Sequence, residues 1–90
     1  MSELTKLITK GVEVYNKTHS PEAKAKLLRI NEVEGTFEVE FTGSFCETCG
    51  IRDWIEDLKY VLEDLNLKCE LISFEEVSYG KYISKFKIMK

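Results

Sequence analysis

Seven apolar residues, Ile51, Trp54, Ile55, Leu58, Val61, Leu62 and Leu65, recur at the spacing of an α-helix. At roughly 100° per residue they share one face about 120° wide. Asp53, Glu56, Asp57, Lys59, Glu63 and Asp64 fall outside that face. A helix so divided has to lay its stripe against another layer, which rules out an isolated helix or a disordered chain. Asn66 is the expected C-terminal stop.

The partner layer is written on either side of it. Phe37, Val39 and Phe41 alternate with Thr36, Glu38, Glu40 and Thr42, the pattern of a strand with one face in water. Leu28 and Ile30 suit a preceding strand, Glu34-Gly35 supplies the turn, and Arg29 is a candidate cross-strand partner for the glutamates. After the helix, "LKCELISFEEV" and "KYISKFKI" read as a second hairpin turning at Ser78-Tyr79-Gly80. The lysines of the last strand, Lys85 and Lys87, suggest a protected sheet edge, with a basic binding strip as the sharper alternative. Before the first hairpin, Leu4, Leu7, Ile8, Gly11 and Tyr15 space a helix over Ser2 to Asn16, capped by Ser2. It stops at "NKTHSPE", where Ser20-Pro21-Glu22 can open a further short helical turn. The expectation is a single α+β domain over residues 1–90. It is a two-layer sandwich in the order α-β-β-α-β-β, with two helices on one face of a mainly antiparallel four-stranded sheet.

Bulk properties narrow the function classes. Ninety residues allow one modest core, and 43% hydrophobic with 32% charged residues reads as globular. A net charge of −3 with interspersed signs argues against nucleic-acid binding. No apolar run reaches membrane-span length and "MSELTKLITK" lacks a signal-type apolar region, so the expected location is cytoplasmic. Abundant Lys and Glu without Gln lean toward a thermophile. There is no phosphate-cradling Gly-rich loop, and the single histidine leaves nucleophile–base pairs poorly supplied, so the reading leans away from an enzyme.

The chemistry concentrates in "FTGSFCETCGIRD", where Cys46 and Cys49 stand between the second strand and the central helix. Ser44 and Glu47 have capping-box spacing, while Gly50 offers a rival helix start. If the helix includes them, Cys49 lies opposite the apolar stripe and Cys46 to one side, which is unlike a core cysteine. A helix N-terminus favours thiolate, as metal ligation and disulfide exchange both require, although Glu47 and Asp53 oppose it. Two intervening residues let both sulfurs reach one metal or each other. Cys69 alternates with Leu67 and Leu71, and a buried apolar role is expected for it. His19 lies in a polar turn and reads as a surface residue. A complete four-ligand site within one chain is therefore not expected. Two copies of Cys46/Cys49 meeting in a homodimer would supply four thiolates, suited to an iron–sulfur cluster or zinc.

The stretch from about Leu28 to Val77 resembles the C-terminal scaffold domain of NifU-type iron–sulfur assembly proteins. A β-hairpin, a glycine shortly before Cys-x-x-Cys, a helix and a further strand follow in that order, with Gly43, Cys46 and Cys49 at the motif positions. The resemblance implies a cluster held between subunits for delivery to other proteins. The chain departs from the family in having two residues, Ser44 and Phe45, between Gly43 and Cys46, in Gly50-Ile51-Arg52 after the motif, and in an extra strand after Val77.

Three functions compete. The leading one is a noncatalytic binding or accessory domain in which the pair is a structural turn or a stabilising disulfide. The best positive function is thiolate binding of metal or a cluster across a homodimer. The alternative is a dithiol/disulfide redox protein with Cys46, nearer the helix start, as attacking thiol. A thioredoxin-like version lacks the proline expected after the helix, since Pro21 is the only one.

Overall fold

The computed structural model describes residues 3–19, 23–43 and 51–89. They form α1 (Glu3–His19), β1 (Ala23–Asn31), β2 (Thr36–Gly43), α2 (Ile51–Asp64), β3 (Cys69–Ser78) and β4 (Lys81–Ile88). All strand pairings are antiparallel, in the order β1-β2-β4-β3. The chain is the α+β sandwich that the two periodicities predict.

Alternation explains which face is covered. Phe37, Val39 and Phe41 of β2 stand opposite Phe86, Ser84 and Tyr82 of β4, and all six are buried. Phe37 and Phe86 stack with ring centroids 5.2 Å apart. Ile8, Val12 and Tyr15 of α1 and Ile55, Leu58 and Leu62 of α2 complete the same core. Ser84 is the polar member, and its hydroxyl donates to the Val39 carbonyl at 2.9 Å, which removes the penalty of burying it. The opposite face of the two central strands carries Glu38, Glu40, Lys85 and Lys87.

Two local features set the helix ends. Where α1 meets α2, a Cβ at Gly11 would run into the Leu62 side chain, so a larger residue there would force the buried leucine to shift. At the end of α2, Asn66 takes φ 69° and Leu67 N–H bonds back to the Leu62 carbonyl at 2.9 Å, the left-handed stop expected of that asparagine.

Three expectations are corrected. α1 runs past Asn16 to His19, because Thr18 and His19 turn their side chains back onto carbonyls of the preceding turn. Leu28 does not face the core. A bulge between Leu27 and Arg29 shifts the alternation, so Ala23, Ala25, Leu27 and Ile30 take the inner face while Leu28 is 40% exposed. The lysine-bearing β4 is not an edge, since it lies between β2 and β3. Its Lys85 sits opposite Glu38 and Ser73, and Lys87 opposite Thr36 and Glu70, so the lysines belong to cross-strand charge rows rather than to edge protection. The short helical turn at Ser20-Pro21-Glu22 and the Ser44/Glu47 capping box lie outside the described residues.

Candidate functional site

Cys46 and Cys49 belong to the connection 44–50, outside the described residues. What is described is its frame. β2 ends at Gly43, whose N–H donates to the Gly80 carbonyl at 3.2 Å, so the β3–β4 turn abuts the point where the connection begins. Gly80 has φ 73°, and a Cβ there would sit 3.2 Å from the Gly43 carbonyl oxygen, so both the turn and the contact favour glycine. The connection ends at Ile51, where α2 starts.

The first turns of α2 are clamped to the end of α1 by an aromatic and charged cluster. The Tyr15 hydroxyl donates to the Trp54 carbonyl at 2.8 Å. The His19 ring stacks on Tyr15 at 4.0 Å between centroids and meets Trp54 edge-on at 5.7 Å. His19 Nε2 lies 3.0 Å from Asp57 Oδ2, and a carboxylate only accepts, so that nitrogen carries a proton. Nδ1 lies 2.8 Å from the Thr18 hydroxyl oxygen and 2.9 Å from the Tyr15 carbonyl oxygen. Burial first, and the Asp57 charge second, raise the Tyr15 phenol far above its ordinary value, so it stays a hydrogen-bond donor.

His19 is thus no surface turn residue. Its side chain is 17% exposed, and both ring nitrogens face groups of the fold. The signal was present in the sequence, because adding four to Tyr15 continues the stripe of Leu4, Ile8, Gly11 and Tyr15 onto His19. Asp57, outside the apolar stripe of α2, is half exposed and holds the other end of this contact.

Cys69 behaves as expected of a small apolar residue. It is 2% exposed among the core residues, and burial chiefly pushes its thiol up to about 11. Among the described residues no group of three or more His, Cys, Asp and Glu side chains could hold a metal ion.

No described helix is long and apolar enough to cross a membrane. Comparison with protein-family models gave no match, and comparison with curated proteins gave none either.

Proposed function

We propose that this protein is a small noncatalytic binding or accessory domain whose Cys46/Cys49 pair binds a thiophilic metal or an iron–sulfur cluster together with the pair of a second copy. One observation carries the reading: the Cys-x-x-Cys falls in the seven-residue connection from β2 to α2, at the entry to a helix. Positive charge density at a helix N-terminus favours thiolate, the form that binds iron or zinc. The likeness of the Gly43-to-Cys49 stretch to NifU-type scaffolds supports the same reading. Cys69 is buried and His19 is held by Asp57, so the sharing of four ligands between two chains follows from supply. Bound metal would bring thiolate-held charge and, for a cluster, electron or cluster transfer. The chain's own part is to supply two thiols between β2 and α2.

Native mass spectrometry on protein purified without air tests this. A dimer carrying iron and sulfide, or one zinc, is the expected species, and Cys46→Ser with Cys49→Ser should abolish the added mass. A metal-free chain lighter by two hydrogens, with a disulfide potential in the cytosolic range, would replace metal binding with dithiol redox chemistry. A metal-free chain with all three thiols intact would leave only the accessory domain.

A further inference from the structure

The outer side of β3 is an open edge of the sheet. β3 is a ten-residue strand that, among the described residues, pairs only with β4, so its other row of backbone donors and acceptors faces away from the sheet. Its charged residues are Glu70, Glu75 and Glu76, all exposed, and it has no lysine or arginine. Glu70 has Lys87 opposite on β4, but Glu75 faces Ile83 and Glu76 faces Tyr82, so no cation stands across from them. Ile72 and Val77 are 51% and 49% exposed on the same strand, and Tyr79 in the turn beyond is almost fully exposed. The neighbouring β4 carries Lys81, Lys85 and Lys87, so the acidic character belongs to β3 itself, with three glutamates and no basic residue.

We propose that the β3 edge receives an extended, lysine- or arginine-bearing segment of a different protein as a fifth strand. Backbone hydrogen bonds to an added strand are indifferent to sequence, so selectivity comes from side chains, and here only a basic segment complements the edge. Bulges after Leu71 and after Glu76 interrupt the ladder and leave Ser73–Glu76 as the regular stretch, which suits a short segment. A second copy fits worse. β3 against β3 sets three glutamates against three, and β1, the basic edge with Lys24, Lys26 and Arg29, has Ala25 N–H and C=O already bonded to the Asn16 side chain at 2.7 and 3.0 Å. The proposal makes no use of Cys46 or Cys49.

Two synthetic decapeptides of the same alternating pattern test it, one with lysine and one with glutamate at every second position. The lysine peptide should bind and slow amide exchange at Ser73–Glu76, and its affinity should fall about tenfold between roughly 50 and 500 mM salt. Glu75→Lys with Glu76→Lys should reverse the preference between the peptides. Glu75→Gln with Glu76→Gln, which adds no charge, should weaken the lysine peptide without recruiting the other. Binding of neither peptide, equal binding of both, or protection appearing on β1 or on the open face would overturn the proposal. So would a free protein that is already dimeric with β3 amides protected, because the occupant would then be a second copy.

Discussion

At one edge of the sheet the Asn16 side chain reaches from α1 and bonds both backbone groups of Ala25; at the other edge β3 exposes Ile72 and Val77. Both are outer strands, both are bulged, and both lie beside a helix. The charges are opposite, with Lys24, Lys26 and Arg29 on β1 and Glu70, Glu75 and Glu76 on β3. Bulges and charges are common protections of an edge. What separates the two is the asparagine, which satisfies outward-facing backbone groups that would otherwise be open to an added strand. A helix lying beside an edge strand does not close it; a side chain of suitable length and chemistry does.

The comparison can first be broken from the centre. Phe37 and Phe86 join the two inner strands on which both edges depend. Phe37→Ala should cost about 3–5 kcal/mol in chemical denaturation, a large share of the roughly 5–15 kcal/mol available to a small domain. Amide exchange should quicken at β1 and β3 alike. A loss confined to one edge would show that the hairpins open separately.

Asn16→Ala attacks β1 alone. It leaves the N–H and C=O of Ala25 without their partner, at a cost of about 1–3 kcal/mol if water does not replace it. Exchange at Ala25 should accelerate well beyond that at β3. The opened basic edge should also begin to pair with the acidic β3 of another copy. An antiparallel register with Lys24 opposite Glu75 also places Arg29 opposite Glu70, and native mass spectrometry would detect the resulting oligomers. A variant that stays monomeric with unchanged exchange would show that the charges and bulge of β1 suffice to protect it.

Little of this asymmetry is legible in the sequence, although most of the elements are. The α2 stripe, the alternation of β2 and β4, the Asn66 stop and the burial of Cys69 follow from local periodicity, because each depends on residues within a turn or two of one another. Strand order depends on which hairpin edges meet, and lysines on alternate positions of β4 look the same whether they guard an edge or face Glu38 and Glu70 across strands. Asn16 and His19 act across the molecule, on Ala25 and Asp57, and side chains that polar near a helix end read as solvent-facing until the partner element is in place. The cysteine pair is legible as a motif only, since Cys46 and Cys49 lie outside the described residues.

The acidic edge carries its own pH signature through Cys69 at the start of β3. Burial pushes this thiol up to about 11, above the ordinary value near 9 that it regains on unfolding. The folded state therefore holds its proton longer. This share of stability is complete below about pH 9 and is lost as pH rises through about 11. Cys69→Val should lessen the decline over that interval in denaturation measured at successive pH values, leaving the loss that starts near pH 10 from Tyr15, whose phenol burial also raises. At pH 8 alkylation should spare Cys69 in the folded protein, as peptide mapping would show.

The smallest expected effect is the most informative about the open edge. Ile72 is half exposed at a bulge, so Ile72→Thr removes little buried apolar area and leaves its new hydroxyl in water. The change should stay within about 0.5 kcal/mol. Val39→Thr inserts the same polar group at a fully buried position of β2 and should cost about 1–3 kcal/mol, so the pair calibrates edge against centre in one denaturation experiment. If Ile72→Thr costs as much as Val39→Thr in the isolated protein, then β3 is covered in solution by another copy. The charge argument against β3 self-pairing fails with that result. If Ile72→Thr is silent alone but weakens the lysine peptide, the exposed isoleucine contributes to strand addition rather than to folding.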